Sequence, residues 1–102
     1  MSMLHIVNKS PFEKSSLDSC LTYAKDGAAI LLIEDAVYAA LKGTAFADKV
    51  KAALNRCKVH VLEPDIKARG MDIANIIEGV EMVGYGGFVD LTATCDNVHS
   101  WV

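Results

Sequence analysis

The sequence predicts a three-layer α/β/α sandwich built around a mainly parallel sheet, on three observations. Short apolar runs alternate four times with amphipathic or capped segments, which is the pattern of repeated strand–helix units. The run at residues 28–33 is apolar without alternation, as expected for a strand covered on both faces. The chain of 102 residues has the size of one domain and shows no internal repeat or linker. Residues 1–102 are therefore expected to form a single domain.

The first strand–helix unit occupies the N-terminal quarter of the chain. Met3–Val7 is an apolar run that ends at the turn-forming residues 8–11, so it predicts a strand. Ser15 lies three residues before Asp18, which makes a weak capping box. The apolar residues that follow recur at i, i+3, i+4 and i+7: Leu17, Cys20, Leu21 and Ala24. This spacing predicts an amphipathic helix that ends at Gly27.

The middle of the chain continues the alternation after the second strand at residues 28–33. Asp35 can cap a short helix through residues 36–41, and Thr44 begins a longer helix. A third strand is predicted at residues 58–62. The following residues, Glu-Pro-Asp-Ile-Lys-Ala-Arg-Gly, favour one or two helical turns with an acidic start and a glycine stop.

The last third is less regular. Residues 73–77 are ambiguous between helix and loop, whereas residues 80–83 predict a fourth strand. The glycine-rich residues 84–87 are interpreted as its exit loop, and residues 88–95 as the last helix. Residues 97–102 form a tail that contains the only tryptophan. With right-handed crossovers, these elements give a sandwich that resembles a small flavodoxin-like fold.

Composition limits the class of protein. The 10 basic and 13 acidic residues give a net charge of −3 without a basic cluster, so a nucleic-acid surface is not expected. The longest apolar run is far shorter than the ~20 residues of a bilayer span, and the first residues do not form an ordinary signal peptide, so a cytoplasmic protein is expected. A hydrophobic content of 52% and a mean hydropathy of +0.26 are high for a small domain, which favours association with other subunits.

Three cysteines, Cys20, Cys57 and Cys95, are the main candidates for chemistry. Their odd number and wide spacing fit neither a disulfide framework nor a CxxC metal site. Cys20 lies on the helix after the first strand, toward the carboxyl edge where such sheets bind ligands, and a helix N-terminus can lower a thiol pKa. The apolar spacing also makes Cys20 a natural core residue, so both roles stay open. Cys57 and Cys95 lie late in helices and are predicted to be structural.

The other polar motifs favour structural roles. Glu34 and Asp35 could form a carboxylate pair for a metal ion or acid–base work, but a helix cap explains Asp35. The glycine-rich residues 84–87 match no phosphate-binding loop. The sequence alone also leaves open a catalytic Cys–His pair of Cys20 with His5. No pair of histidines has metal-ligand spacing, so no metal site is expected. The three histidines are His5, His60 and His99.

The landmarks of the chain, taken in order, resemble the DsrH/TusB family of DsrE-like sulfur-relay proteins, and the DsrH branch in particular. They are Leu4-His5, Ser10-Pro11-Phe12, residues 31–37 (LLIEDAV), residues 62–70 (LEPDIKARG), residues 88–92 (FVDLT) and Trp101. Each piece is weak alone, but their order and spacing cover nearly the whole chain. The resemblance implies a DsrE-like fold, and Cys20 matches the cysteine characteristic of DsrH.

The resemblance also implies a function. Members are cytoplasmic subunits that assemble with homologous DsrE-like and DsrF-like subunits, two copies of each, in a hetero-hexamer. The complex passes sulfane sulfur as a cysteine persulfide to an acceptor of the DsrC/TusE type, in intracellular sulfur oxidation or, in related members, in tRNA wobble-uridine thiolation. Cys20 is then the expected sulfur-carrying residue, without cofactor, membrane or direct nucleic-acid contact. This is a sulfurtransferase or carrier component rather than a free-standing enzyme.

Two alternatives stay open. In the first, the chain is a non-catalytic structural subunit of the same complex, and the chemistry takes place on the DsrE-like partner. In the second, the chain is a flavodoxin-like protein that binds a small ligand.

Overall fold

The structure is a computed structural model that describes residues 3–10 and 15–101. Within these residues, one parallel sheet of five strands has the order β4-β3-β2-β1-β5. The strands are β1 (Met3–Val7), β2 (Ala29–Leu32), β3 (Lys58–Leu62), β4 (Glu81–Val83) and β5 (Asn97–Trp101). The predicted α/β sandwich with a parallel sheet is confirmed.

The connecting helices cover the two faces of the sheet unequally. They are α1 (Ser16–Tyr23), a 3₁₀ helix (Glu34–Ala40), α2 (Ala47–Ala53), α3 (Glu63–Ala68), a short 3₁₀ turn (Ile73–Asn75) and α4 (Tyr85–Thr94). The elements between β1 and β4 pack on one face, here called the main face, and α4 packs on the other, here called the α4 face. Right-handed crossovers explain this division, because the chain moves one way from β1 to β4 and returns the other way to β5.

Alternating strand residues supply the cores of both faces. On the main face, residues such as Val7, Ile30 and Val61 are buried under the helices. On the α4 face, the buried core consists of Leu4, Ile6, Ala29 and Leu31, and three α4-side residues pack against it: Phe88, Leu91 and Cys95. The strands therefore read as continuous apolar runs because both sides of each are covered.

The C-terminal tail forms a strand that the sequence did not predict. β5 pairs in parallel with β1, from Met3 opposite Asn97 to Val7 opposite Trp101. Val98 therefore lies on the α4 face and His99 on the main face. Asparagine, histidine and serine weaken the strand signal of this segment, which is why only its alternation could have revealed it.

The predicted exit loop at residues 84–87 is wrong, because α4 already begins at Tyr85. Gly84 is the extended N-cap residue, and Gly86 and Gly87 lie in the first turn of the helix. A Cβ atom at Gly87 would lie 2.9 Å from the Val83 Cβ, so a side chain at this position would collide with the preceding strand. Close packing explains Gly87, although glycine lowers helix propensity.

Two smaller expectations also changed. Asp35 is not the cap of the helix that follows β2, because that helix starts at Glu34 and Ile33 occupies its N-cap position. Ser15 is the N-cap residue of α1, but its side chain makes no capping hydrogen bond to any residue that the structure describes. Pro11 and Phe12, which belong to the sequence landmarks, lie outside the described residues. None of the helices in the described part of the chain has the length and apolarity needed to cross a membrane.

Candidate functional site

Cys20, the predicted sulfur-carrying residue, lies on α1 and points into the core of the main face. Its exposed fraction is 0%. Burial, with a smaller contribution from Cys57, raises its pKa from 9.0 to about 12, although the Arg56 guanidinium acts in the opposite direction. A shift of this size lowers the thiolate population at neutral pH by about a thousandfold relative to an ordinary cysteine. Of the two positions that the helical spacing left open, the structure therefore shows Cys20 in the core.

Cys57 is also buried, but it lies after the end of α2 and just before β3, so the prediction that it lies late in a helix is wrong. Its Sγ lies 3.5 Å from the Lys25 carbonyl oxygen and 3.9 Å from Nη1 of Arg56. Burial raises the pKa of this thiol, despite the opposing effect of Arg56. The Arg56 guanidinium donates hydrogen bonds to the carbonyl oxygens of Leu21 and Ala24, so it fastens the end of α1 to the α2–β3 turn.

Cys95 is the most accessible of the three thiols. It is the C-cap residue of α4 and is partly exposed, while its side chain packs against the core of the α4 face. The sequence predicted it inside the last helix, and the structure places it one residue beyond the end.

The carboxylates at the carboxyl edge of the sheet hold two connections together. Glu34 has a φ of +50°, which is unusual for a residue with a side chain, and its backbone N–H donates to Oδ2 of Asp65 at 2.7 Å. Oδ1 of Asp35 accepts hydrogen bonds from Nε and Nη2 of Arg69 at 3.1 and 2.9 Å. Arg69 also lies 3.7 Å from Asp65. These contacts lock the 3₁₀ helix after β2 to α3, so the Glu34–Asp35 pair has a structural role.

Arg56 and Arg69 make these contacts, although neither stands out in the sequence as a functional residue. The i, i+4 spacing of Asp65 and Arg69 was a usable signal for their ion pair. Arg56 gave no such signal, because both of its carbonyl acceptors lie more than 30 residues away in sequence. In the described residues, no three His, Cys, Asp or Glu side chains come together as a metal-binding group.

His5 belongs to a cluster of four rings at the β1–β5 side of the sheet. Its Nδ1 accepts a hydrogen bond from Nε1 of Trp101 at 3.1 Å, so this nitrogen is engaged by the indole and is not left for a thiol. His99 stacks on Trp101 with a centroid separation of 4.4 Å, and Tyr23 meets His5 edge to face. Burial and the neighbouring His99 lower the pKa of His5.

A cavity of about 130 Å³ lies beside His5 and Tyr23, at the amino ends of the strands. Ligand pockets in proteins usually measure about 300–1,000 Å³ and in parallel sheets lie at the carboxyl ends. This cavity is therefore smaller than a typical ligand pocket and lies at the opposite edge of the sheet.

His60 is a buried histidine on the α4 face, directly opposite Glu81 in the β3–β4 pair. Its Nδ1 lies 3.4 Å from Oε2 of Glu81, but neither ring nitrogen has a hydrogen-bond partner among the described residues. Burial lowers the pKa of His60, and Lys58 adds to this effect while Glu81 opposes it. The ring is therefore held as a neutral core residue.

Comparison with known proteins identifies the family. The family model described as "DsrH like protein" matches residues 9–98. "Protein TusB" of Pectobacterium parmentieri is 34% identical over 99 residues, which are 97% of this chain and the whole relative. "Protein TusB" of Buchnera aphidicola subsp. Baizongia pistaciae is 36% identical over 101 residues, with the same coverage.

Solved structures show the same fold. The E. coli ychN protein superimposes with a TM-score of 0.81 at 20% identity and covers 99% of both chains. MTH1491 of Methanobacterium thermoautotrophicum superimposes with a TM-score of 0.70 at 16% identity and covers 96% of both chains. The family match over most of the chain and the near-full-length relatives confirm the resemblance noted in the sequence. This chain belongs to the DsrH/TusB family of sulfur-relay proteins.

Proposed function

We propose that this chain is an assembly subunit of a cytoplasmic sulfur-relay complex, in which a DsrE-like partner carries the reactive thiol. The observation that carries this proposal is the burial of Cys20. The thiol has an exposed fraction of 0%, and burial raises its pKa to about 12. A group in this environment is a core side chain rather than a nucleophile.

The chemistry of sulfur transfer explains why burial matters. A thiolate on the acceptor attacks the outer sulfur of the donor persulfide and forms a new S–S bond. The S–S bond of the donor breaks, and the donor leaves as a thiolate, so no external oxidant or reductant is needed. The step requires an ionised thiol that the donor can approach in line. Cys20 and Cys57 are both buried thiols with raised pKa values.

The proposed partners are homologous DsrE-like and DsrF-like subunits, two copies of each with this chain in a hetero-hexamer. The high apolar content of the sequence supports assembly with other subunits. The net charge of −3 does not favour RNA binding by this chain, so any contact with RNA is made by its partners. The acceptor is a protein of the DsrC/TusE type. The resemblance at Cys20 favours intracellular sulfur oxidation, whereas the relatives named TusB favour the tRNA thiolation relay. Capture of the native complex followed by mass spectrometry of the bound acceptor decides between the two directions.

Loading the reconstituted complex with a polysulfide donor tests the proposal. The mass of one added sulfur atom should be found on a cysteine of the DsrE-like subunit and not on Cys20. A complex that contains Cys20→Ala should still transfer sulfur to the acceptor, and Cys95→Ala provides the matched control. Loss of transfer with Cys20→Ala, in a complex that assembles normally and retains its melting temperature, would refute the assembly role.

The second candidate keeps Cys20 as the persulfide carrier after a local opening of α1. Arg56 favours it, because its guanidinium lies near enough to oppose the rise in the Cys20 pKa. In this case a sulfur atom adds to the Cys20 peptide and is removed by reduction, while Cys57 stays unmodified. The same mass-spectrometric experiment therefore separates the two candidates.

A further inference from the structure

In the described part of the chain, one helix covers the α4 face of the sheet, and no other described element covers that helix in turn. Every residue of α4 keeps some solvent exposure, in contrast to α1, α2 and α3, which each bury at least one residue. Five large apolar side chains are exposed in the described part of the chain, and three of them lie on this side. They are Tyr85 (64% exposed), Val89 (63%) and Val98 (47%).

The outer side of α4 lacks the polar character of a solvated helix. Phe88 and Leu91 pack toward the sheet, so the helical period places Gly86, Val89 and Ala93 on the opposite side. Asp90 is the one charged residue in the ten residues of the helix. A helix that is meant to face water normally carries charged side chains along this surface.

Gly86 is the most informative residue of this surface. Its neighbour Gly87 has a reason within the chain, because a Cβ at that position would collide with Val83. A Cβ at Gly86 would meet no atom of the described residues within 4 Å, and the backbone at this position does not have a positive φ. Glycine lowers helix stability, so Gly86 has a cost without a benefit inside the described chain. A glycine on the outside of a helix lets another backbone approach closely.

The size and charge of the surface indicate what kind of partner covers it. A helix of ten residues is about 15 Å long and about 10 Å across, so its outer half offers roughly 250 Å². A stable interface needs about 800 Å² from each partner. The partner must therefore extend past α4 to β5, where Val98 and Ser100 are exposed on the same face. A mainly apolar surface of this extent, with Asp90 as the one charged residue of the helix, fits a folded subunit rather than a short peptide, and its negative charge does not favour a nucleic acid.

We propose that the outer side of α4, with Gly86 and Val89 at its centre and Val98 at its edge, binds a homologous DsrE-like or DsrF-like subunit. This inference rests on the proposed assembly function and specifies the surface that performs it. The backbone of the partner approaches α4 at Gly86, and its apolar side chains cover Tyr85 and Val89.

Binding of the full-length chain to the co-expressed homologous subunits tests this surface. Gly86→Ala should raise the melting temperature of the isolated chain by about 1–4 °C, because alanine favours the helix, and should weaken binding at least tenfold. Val89→Lys should weaken binding to the same extent without unfolding the chain. Ile73→Lys is the matched control, because Ile73 is an exposed apolar residue (49% exposed) away from α4. The nearby Ile76 packs in the core of the main face, so this segment lies on the other side of the sheet.

The possible outcomes separate this inference from the proposed function. Wild-type binding by both Gly86→Ala and Val89→Lys refutes the surface while assembly stands. If the wild-type chain binds no homologous subunit, the proposed function fails. Self-association through α4 without affinity for the homologous subunits identifies a second copy as the occupant and overturns the proposal. Circular dichroism of each variant shows that a loss of binding does not come from unfolding.

Discussion

Replacing Cys20 by serine tests whether its thiol is a core side chain. The site has an exposed fraction of 0% and lies in an apolar cluster with Leu17 and Ala24. A hydroxyl group buried there without a good partner costs about 1–3 kcal/mol, and a bond back to the Ser16 carbonyl moves the cost toward the lower end. In a domain of this size, each kcal/mol corresponds to about 4–8 °C in melting temperature. We therefore predict that Cys20→Ser lowers the melting temperature by at least about 4 °C.

Denaturant unfolding and thermal melts measure this change, and Cys95→Ser provides the control. Cys95 is partly exposed, so its substitution should change the free energy of unfolding by no more than about 0.5 kcal/mol. Native-state alkylation gives an independent test, because the raised pKa and the burial of Cys20 should make it react much more slowly than a cysteine in the unfolded chain. The reasoning is refuted if Cys20→Ser is as stable as Cys95→Ser and Cys20 is alkylated as fast as Cys95 in the folded protein.

Three further predictions concern the interactions that hold the fold. The pKa values of His5 and His60 are lowered in the folded chain, so the unfolded chain takes up protons at a higher pH than the folded chain does. The free energy of unfolding should therefore be largest above about pH 6.5 and fall below it, by up to about 1.4 kcal/mol per pH unit for each histidine. Denaturation at pH 7.5 and 5.5 measures this loss, and His60→Gln should reduce it; a flat profile would contradict the assignment. Asp65→Ala should lower the free energy of unfolding by about 1.5–3 kcal/mol, because the Glu34 N–H loses a charged acceptor, and unchanged denaturation would exclude that role. Arg56→Met should lower the free energy of unfolding by about 1–3 kcal/mol, because the hydrogen bonds to the two carbonyl oxygens are lost. Arg56→Lys should restore only part of this stability, because an ammonium group lacks the planar fork of donors. Full stability in Arg56→Lys would show that a positive charge alone is sufficient at this position.

The strands with unbroken apolar runs could be predicted from the sequence. β1 and β3 have the bounds that the apolar pattern indicated, and β2 lies inside its predicted run. The pattern succeeds here because both sides of these strands are buried, so that each side chain adds to the same signal. β5 is an edge strand in which four of the five residues are exposed, so its residues are selected less strongly for apolar character.

The candidate site was harder to predict, because the burial of a side chain depends on the three-dimensional structure. The helical spacing around Cys20 fitted a core side chain, and its place near the start of α1 fitted a reactive thiol. The sequence alone does not decide between these two roles. The structure ranks them, since the side of α1 that carries Leu17 and Cys20 faces the sheet. Family resemblance identified the residue that matches a known cysteine, but it carries no information on the exposure of that thiol in this chain.

The same residues that misled the sequence analysis of α4 make it suitable as an interface. Two adjacent glycines in the first turn gave the pattern of a loop, because glycine is a poor helix former. One of them, Gly87, is explained by the close approach of Val83, so its local cost is offset within the chain. Gly86 has no such partner among the described residues. Sequences fold well when local preferences agree with the final structure, and positions that break this agreement without internal compensation tend to be functional. Gly86 is such a position. No contact within the described residues offsets its cost to the helix, and we assign the offsetting contact to a second subunit.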